Sequence, residues 1–313
     1  MSVAFLFPGQ GSQAPGFLHR LPSHPAVEET LRTASDVLEV DVRDLDTPAA
    51  LASTVAVQLT AVVAGVAVAR ALAADGTAPD AVAGLSVGAF TAAVAAGALP
   101  FDDALRVVRR RGELMRDAFP RGHGLAAVVG LDEARISALL EGSATPSGRA
   151  YLANVNAPAQ MVIAGPDEAL DAVLDRARAA GAVRAERLAV AVPSHTPLLS
   201  PVAAALADLL REVPMSAPRV PCVGSRRARL TQDPDEVRSD LAGNVMYPVR
   251  WHDATTALFE RGVRLFVELH PGRTLATLAA AAFPEARAVA TEDTALRTVR
   301  VLAARERLLE AQR

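Results

Sequence analysis

Hydrophobic residues along the chain alternate between short continuous runs and longer segments of helical period. Val3–Phe7 is a five-residue apolar run closed by Pro8 and Gly9, which is typical of a buried strand. A second short run, 80–83, leads directly into a glycine-flanked serine, Ser86. The pattern around these runs predicts helices at 27–39, at 51–75, at 87–98 and from Asp102 or Asp103, as the cap, to 118.

The segment 124–190 has a pattern of its own. It predicts, in order, strand 125–129, helix 132–140, strand 151–154, strand 161–164, helix 166–180 and strand 187–190. That βαββαβ order is the ferredoxin-like split unit, and a complete small unit within a longer chain indicates an inserted subdomain. We therefore predict a small subdomain at 124–190 and a large core formed by 1–123 and 191–313.

Beyond the insert the chain returns to longer elements. The pattern predicts helices at 201–211, 235–246, 254–261, 274–283 and 294–312, and strands at 220–223 and 265–269. Strands that alternate with helices on both sides of the insert predict an α/β core with a mostly parallel sheet.

Composition narrows the function classes. Aromatic residues make up only 4% of the 313 residues and the formal net charge is −3, which argues against a nucleic-acid-binding surface. All 32 basic residues are arginine. Without lysine the chain has no Schiff-base enzyme chemistry of the pyridoxal-phosphate or aldolase type, and no Walker A phosphate loop.

Cysteine usage and hydropathy bear on location. Cys222 is the single cysteine, so an intrachain disulfide and a thiolate metal site are excluded, which fits a reducing cytosol. The first eight residues lack the basic region of a signal peptide, and their apolar run is too short for its hydrophobic region. The longest apolar stretch, 55–74, contains Gln58 and Arg70, and we interpret it as a buried helix. We expect a cytoplasmic protein without a membrane segment.

The candidate nucleophile is Ser86, in Gly84-Leu85-Ser86-Val87-Gly88 between a predicted strand and a predicted helix. This is the context that a G-x-S-x-G nucleophile turn requires, because small neighbours permit a strained turn that exposes the serine hydroxyl. The following helix offers main-chain N–H groups to a developing oxyanion. A purely structural glycine turn is the competing interpretation.

A nucleophilic serine needs a base, and His195 is the candidate among six histidines. It follows the last predicted strand of the insert, in Val192-Pro193-Ser194-His195, where the chain returns to the core. The other histidines lie in a proline-rich loop, at the insert border or near helix starts, and the spacing of the six indicates no metal site.

Two further motifs can serve the serine. Gly9-x-Gly11 after the first strand could pass for a dinucleotide fingerprint, but nearby prolines, including Pro15, prevent the long helix that the fingerprint requires. Its N–H groups can instead complete an oxyanion hole. In Arg109-Arg110-Arg111, a solvated face is the ordinary interpretation, but one buried guanidinium could hold a substrate carboxylate.

Together these motifs resemble the malonyl-CoA:acyl-carrier-protein transacylase family over nearly the full chain. The matching segments, in the family's order, are Phe7-Pro8-Gly9-Gln10-Gly11-Ser12-Gln13, Gly84-x-Ser86-x-Gly88, Arg111-Gly112-x-x-Met115, Asn154-x-Asn156-x-Pro158-x-Gln160, Val192-Pro193-Ser194-His195, Pro248-Val249-Arg250-Trp251 and Pro271-Gly272. The resemblance implies an α/β-hydrolase-like core that carries a ferredoxin-like insert, in agreement with the pattern.

The resemblance also implies roles. Ser86 would accept the malonyl group, with His195 as general base and later general acid. Gln10 and the Val87 N–H would form the oxyanion hole, and Arg111 would pair with the malonyl carboxylate. The remaining expected pocket residues are Gln58, Met115 and Leu85. The implied substrate is malonyl-CoA, the implied partner is an acyl carrier protein, and no bound cofactor or metal is expected.

Three positions depart from the family pattern. Leu85 replaces the usual His or Gln before the nucleophile, and Ala89 replaces the usual Glu after the second glycine. Tyr247 stands where the family often has Asn, although a main-chain carbonyl there could still orient the histidine. The sequence around Ser86 resembles the malonyltransferase (epsilon) subunit of bacterial malonate decarboxylase, which loads that enzyme's own carrier. We therefore predict this pathway, with fatty-acid or polyketide synthesis as the alternative.

Two other function classes remain as alternatives. An α/β-hydrolase esterase or thioesterase would place its histidine near the C-terminus, whereas His195 is followed by more than a hundred residues. A non-catalytic, carrier-binding subunit would need Ser86 or His195 to be unreactive, and the sequence gives no sign of that.

Overall fold

The computed structural model of the chain describes residues 1–312. Within that range the strands are β1 (Val3–Phe7), β2 (Ala81–Gly84), β3 (His123–Val129), β4 (Tyr151–Ala157), β5 (Gln160–Pro166), β6 (Arg184–Arg187), β7 (Cys222–Val223), β8 (Leu230–Thr231), β9 (Leu265–Glu268) and β10 (Arg287–Ala290). The α-helices are α1 (Pro25–Leu38), α2 (Thr54–Ala74), α3 (Gly88–Ala95), α4 (Phe101–Ala118), α5 (Glu133–Glu141), α6 (Asp167–Ala179), α7 (Ser200–Arg211), α8 (Pro234–Gly243), α9 (Trp251–Glu260), α10 (Thr274–Ala282) and α11 (Leu296–Ala311).

The large sheet is mixed, with the strand order β10-β9-β1-β2-β7-β8. Four neighbouring pairs are parallel, and the short β7–β8 pair is antiparallel. The predicted α/β class is therefore confirmed. Because β1, β2, β7 and β9 run in the same direction, their carboxyl ends meet at one edge of the sheet, where ligand sites of such folds form.

Side chains of β1 alternate between two hydrophobic clusters, one on each face of the sheet. Val3, Phe5 and Phe7 pack with α1 to α4, whereas Ala4 and Leu6 pack with α9 and α10. Helix α2 is the one helix within the described range that is long and apolar enough to cross a membrane, and 89% of its apolar window is buried inside the fold. It is the core helix that the sequence predicted.

The small sheet is antiparallel, with the order β4-β5-β3-β6, and its elements follow one another as β3-α5-β4-β5-α6-β6. Helices α5 and α6 pack on one face through a separate cluster that includes Ile136, Ile163 and Leu170. The element order matches the pattern of the sequence. The last strand, predicted at 187–190, lies at Arg184–Arg187, because only Ala185 of that strand is buried and no apolar run marks it.

Other differences arise at element ends. The edge strands β8 and β10 were not predicted, because neither contains a continuous buried run. Helix α8 ends at Gly243 rather than at 246, which leaves Asn244 in the loop. Helix α4 begins after Pro100, so Asp102 and Asp103 lie in its first turn rather than at its cap.

The two sheets meet at one extended segment, 247–250. The N–H of Val155 in β4 donates to the carbonyl of Val249 (2.9 Å), and the N–H of Val249 donates to the carbonyl of Ala153 (2.9 Å). The Arg250 guanidinium reaches Glu133 of α5 at 2.6 Å. The N–H of Arg250 donates to the carbonyl of Ser225, just after β7 (2.9 Å), so the connection after α8 contacts both sheets.

Candidate active site

Ser86 occupies the turn between β2 and α3, and its backbone is in the left-handed region (φ 57°). A Cβ at Gly84 would lie 2.1 Å from the main chain of Gly88, and a Cβ at Gly88 would lie 2.2 Å from the carbonyl oxygen of Phe7. Both positions therefore require glycine, as the motif predicted. The strained turn holds the half-buried serine side chain at the carboxyl edge of the sheet.

His195 is buried, and its Nε2 lies 2.9 Å from the Ser86 hydroxyl oxygen. The ring Nδ1 lies 2.6 Å from the carbonyl oxygen of Asn244, and the main-chain N–H of His195 donates to the carbonyl of Val245 (2.7 Å). Because a carbonyl can only accept, Nδ1 carries the proton and Nε2 is free to accept the proton of Ser86.

The charge state of His195 suits a base. Burial, and next the positive charge of Arg111, lower the pKa of His195 to about 4, while the carbonyls of Asn244 and Tyr247 act in the opposite direction. The imidazole is therefore neutral at pH 7. The sequence suggested the Tyr247 carbonyl as the orienting group, and the acceptor of the Nδ1 proton is the carbonyl of Asn244.

Arg111 is 1% exposed on α4, and its side chain reaches the same turn. It donates to the amide oxygen of Gln58 and, at 3.4 Å each, to the hydroxyl of Ser86 and the amide oxygen of Asn244. Its Nε has no partner, and no carboxylate within residues 1–312 pairs with the guanidinium. Burial lowers the pKa of Arg111 to about 9, so the group still carries its charge at pH 7.

The neighbouring arginines point elsewhere. Arg109 and Arg110 are exposed, and both lie within ion-pair distance of Glu113 on the same helix. Successive helical residues are rotated by about 100°, so Arg111 turns inward where its neighbours turn to solvent. A buried cation without a carboxylate is a ready partner for the carboxylate of a ligand.

The predicted oxyanion groups lie on either side of Ser86. Gln10 is in the loop after β1, and Val87 is the residue before α3. A Cβ at Gly9 would lie 2.7 Å from the carbonyl oxygen of Leu85, so glycine lets this loop pack directly against the serine turn. Within residues 1–312 neither the Gln10 nor the Val87 N–H donates a hydrogen bond, so neither donor is engaged within the chain.

The other predicted pocket residues fall into two groups. The amide nitrogen of Gln58 donates to the hydroxyl of Thr54 (3.1 Å) and lies 3.6 Å from the sulfur of Met115. The Thr54 hydroxyl in turn donates to the side-chain oxygen of Gln10 (3.2 Å). Leu85 instead packs with the hydrophobic cluster on the α9 and α10 side of the sheet. Gln58 and Met115 thus adjoin Arg111, whereas the Leu85 side chain does not join that group.

Asn244 is a site residue that sequence reasoning missed. Its side chain accepts from Arg111 and donates to the main-chain oxygen of Ser86 (3.3 Å), while its own carbonyl accepts from His195. It is 1% exposed and follows the last residue of α8. The available signal was Gly243 before it, which is typical of a helix end, but the pattern had extended the helix to 246.

The chain matches known families over most of its length. Residues 4–302 match the family model described as the acyl transferase domain. The chain is 39% identical over 281 residues to the malonyl CoA-acyl carrier protein transacylase of Escherichia coli (strain K12), with 88% of this chain and 91% of that protein covered. It is 33% identical to the protein of the same name from Bacillus subtilis (strain 168), with 88% and 89% covered.

Solved structures agree with the sequence relatives. The malonyl CoA-acyl carrier protein transacylase of Coxiella burnetii superposes with a TM-score of 0.90 at 35% identity, covering 95% of both chains. A malonyl-transacylase solved in complex with a type II PKS acyl-carrier protein superposes with a TM-score of 0.90 at 36% identity, covering 95% of this chain and 97% of that one.

Proposed function

From the premise that the chain belongs to the malonyl-CoA:acyl-carrier-protein transacylase family and is an acyltransferase, we propose that it transfers a malonyl group from malonyl-CoA to the thiol of an acyl carrier protein. The observation that carries the proposal is the 2.9 Å contact between Ser86 and a neutral His195, beside a buried Arg111 that has no carboxylate partner. The first two supply a nucleophile and its base, and the third supplies a partner for a free acid on the acyl group.

Acylation begins as the Ser86 hydroxyl attacks the thioester carbonyl and its proton moves to Nε2 of His195. The negative charge that develops on the carbonyl oxygen faces the free N–H groups of Val87 and Gln10. When the carbon–sulfur bond breaks, His195 returns the proton to the departing CoA thiol. The products are a malonyl ester on Ser86 and free CoA.

In the second half-reaction, which moves the malonyl group from Ser86 to the carrier, the thiol is the nucleophile and the serine is the leaving group. The carrier thiol gives its proton to His195, and its sulfur attacks the ester carbonyl. The bond between carbon and the Ser86 oxygen breaks, and the serine recovers the proton from the imidazolium. Because Nδ1 is held by the carbonyl of Asn244, the same tautomer serves both halves. The reaction is thus ping-pong, with one acyl-enzyme intermediate.

Arg111 selects the acyl group in this proposal. A malonyl ester on Ser86 carries a free carboxylate at the end of a short chain, within reach of a guanidinium that already lies 3.4 Å from the Ser86 oxygen. The free Nε and the two terminal nitrogens offer a bidentate, charge-assisted pair, which an acetyl group cannot accept. Gln58 and Asn244 hold the guanidinium in place.

For the pathway, we propose fatty-acid or polyketide synthesis. The relatives in the comparison are malonyl CoA-acyl carrier protein transacylases, and one solved relative is bound to a type II PKS carrier. The malonate decarboxylase interpretation, which rested on Leu85 and Ala89, receives no support from them. Discharge of the malonyl enzyme to a fatty-acid or polyketide carrier, compared with a malonate decarboxylase carrier, tests this choice.

Several expectations accompany the proposal. The order β3-α5-β4-β5-α6-β6 and the large mixed sheet support a ferredoxin-like subdomain at 124–190, inserted in an α/β-hydrolase-like core of 1–123 and 191–313. A reaction without a bound cofactor or metal, and a cytoplasmic location, remain predictions. Purified protein assayed after dialysis against a chelator would test the first of these.

The decisive experiment is incubation with malonyl-CoA labelled in the malonyl group. We expect one malonyl group per chain, mapped by mass spectrometry to Ser86 and released by a holo acyl carrier protein. Ser86→Ala should accept no label, whereas Ser200→Ala, an exposed serine at the start of α7, should label as the wild type does. Free malonate as the main product would indicate the hydrolase alternative, and an unlabelled wild type would indicate the non-catalytic one.

A further inference from the structure

A cavity of about 360 Å³ lies beside the catalytic turn, on the β7 side of Ser86. Its walls are helix α3, helix α8 and the turn that joins β7 to β8. Ala89 of α3 and Gly243 at the end of α8 both line it. Since Ala89 follows Ser86 by three residues and Gly243 precedes Asn244, the cavity adjoins the site without containing its reacting groups.

The turn between β7 and β8 presents three exposed arginines to this cavity, Arg226, Arg227 and Arg229. Its shape is set by two main-chain hydrogen bonds, from Gly224 to the carbonyl of Arg229 (3.0 Å) and from Ala228 to the carbonyl of Gly224 (3.0 Å). Ala228 adopts φ 50°, a strained value for a residue with a Cβ. The chain thus holds three cations on one short, defined turn.

Four carboxylates line the cavity, and three of them are engaged; the fourth, Glu236, is exposed and has no hydrogen-bond or ion-pair partner within residues 1–312. Asp240 accepts the N–H groups of Ser225 (3.0 Å) and Arg226 (3.4 Å), which ties α8 to the turn. Asp233 caps α8 by accepting from Asp235, and Asp235 lies 3.6 Å from Arg238. Of the ion pairs within residues 1–312, none includes Arg226, Arg227 or Arg229.

The turn faces the site because β7 lies parallel to and beside β2, so the residues after Val223 emerge at the same edge of the sheet as Ser86. The Arg226 guanidinium lies 3.7 Å from the ring centre of Tyr247. Tyr247 is three residues from Asn244, which limits the separation of their Cα atoms to roughly 11 Å. A ligand group bound at Arg226 is therefore within the reach of a long flexible arm whose far end is at Ser86.

We propose that Arg226, Arg227 and Arg229 bind the phosphate groups of the arm that carries the thioester. This inference rests on the proposed function, because both CoA and a carrier's pantetheine arm have a sulfur at one end and phosphate at the other. Guanidinium groups pair with phosphate oxygens through several N–H donors at once. Stacking on Tyr247 holds Arg226 in place, so less side-chain entropy is lost on binding.

The test compares three thioester donors: malonyl-CoA, which carries a 3′-phosphoadenosine diphosphate, and malonyl-4′-phosphopantetheine and malonyl-pantetheine, which differ from each other only in one phosphate. Malonyl-CoA, malonyl-4′-phosphopantetheine and malonyl-pantetheine each label Ser86 in a single turnover, in the wild type and in the variant Arg226→Ala/Arg227→Ala/Arg229→Ala. We expect the triple variant to raise the concentration of malonyl-CoA needed for half-maximal rate by about tenfold, as three exposed charge contacts imply. Malonyl-pantetheine should label both proteins equally, and the difference should shrink at high salt.

Arg149→Ala is the matched control, because Arg149 is also exposed, stacks on a tyrosine (Tyr151, 5.1 Å) and has no carboxylate partner within residues 1–312. It should change none of the three donors. A second experiment measures the transfer of the malonyl group from Ser86 to a holo carrier or to pantetheine. If the triple variant loses rate only with malonyl-CoA, the bound phosphates are those of CoA. If it loses rate only with the holo carrier, they belong to the carrier's phosphopantetheine. Both results support the proposal.

Two results overturn the inference. One is an unchanged response of the triple variant to malonyl-CoA and to carrier. The other is an equal loss with malonyl-pantetheine, which has no phosphate. Failure of the proposed function is distinguishable from either, because the wild-type protein would then take up no malonyl group from any donor.

Discussion

Arg111 and Arg250 are both held in place by side-chain hydrogen bonds, but Arg111 is buried and Arg250 is partly exposed, and their partners differ. Arg250 lies where the two sheets meet and pairs with two carboxylates, Glu133 at 2.6 Å and Asp253 at 2.7 Å. The hydrogen bonds to these carboxylates raise the pKa of Arg250. Arg111 is more deeply buried and contacts only amide and hydroxyl oxygens, and burial lowers its pKa to about 9.

The presence or absence of a carboxylate partner distinguishes a structural arginine, Arg250, from one suited to bind a ligand, Arg111. The charge of Arg250 is balanced within the chain, so the residue can connect α5 to the segment before α9 without a further partner. The charge of Arg111 is balanced by nothing within residues 1–312, which costs stability unless a carboxylate arrives. An unbalanced charge retained beside Ser86 is therefore an argument for binding rather than for folding.

The largest effect should follow removal of the unbalanced cation. Arg111→Ala should lower malonyl transfer by about 10- to 100-fold more than acetyl transfer, because a bidentate charge-assisted pair with the malonyl carboxylate is lost. The measurement is kcat/KM for malonyl-CoA and for acetyl-CoA with one holo carrier. Equal losses for the two donors would remove Arg111 from carboxylate recognition.

Two control variants sharpen this result. Arg109→Ala removes an exposed arginine of the same helix, and Arg250→Ala removes the arginine with balanced charge. Neither should change the ratio of malonyl to acetyl transfer by more than about twofold. If Arg250→Ala lost malonyl transfer selectively, a balanced charge would not distinguish a structural arginine from one that binds the malonyl carboxylate.

A smaller effect, of opposite sign at the two positions, is expected in stability. Arg111→Met should raise the free energy of unfolding by about 1 kcal/mol, because an apolar side chain replaces a buried charge without a carboxylate. Arg250→Met should lower it by up to about 1 kcal/mol, as expected for partly exposed ion pairs. Urea unfolding at pH 7 measures both, and a loss of stability in Arg111→Met would show that its hydrogen bonds outweigh its desolvation.

Part of this site has a recognisable pattern in the sequence. The glycine spacing around Ser86 and the position of His195 identified two side chains that the structure brings within 2.9 Å of one another. Helical periodicity implied that only one or two of the arginines at 109–111 could face inward, and the resemblance selected Arg111. The placement of these side chains could be anticipated because a turn that needs glycine and a helix with an apolar stripe both leave a pattern in the sequence; their catalytic roles stay predictions.

Asn244 and the edge strand β10 left no such pattern. The contact of Asn244 with His195 uses a main-chain carbonyl, which every residue possesses, and its position depends on where α8 ends. Strand β10 has one buried residue, Ala290, so its pairing with β9 is apparent only in three dimensions. What remained hidden was set by main-chain geometry rather than by side-chain type.

The smallest expected effect is on the acid limb of the pH–rate profile, where the rate falls as His195 becomes protonated. It is small because the charge of Arg111 ranks after burial among the causes of the low pKa of His195. The reactive form of His195 is neutral, and it is lost as pH falls through its folded-state pKa, about 4 in the wild type. Arg111→Met removes one cause that lowers this pKa, so the limb should move to higher pH. Arg250→Met should leave the limb in place, because that charge is already balanced.

Single-turnover acylation of Ser86 by acetyl-CoA between pH 4 and 7 makes this measurement, since acetyl has no carboxylate that needs Arg111. A profile that stays in place in Arg111→Met would show that the charge of Arg111 does not contribute to the low pKa of His195. A shift would carry a consequence for the malonyl enzyme, in which the bound carboxylate balances Arg111 in the way that Glu133 and Asp253 balance Arg250. Transfer of the malonyl group to Ser86 would then raise the pKa of His195 and prepare it to accept the proton of the incoming thiol.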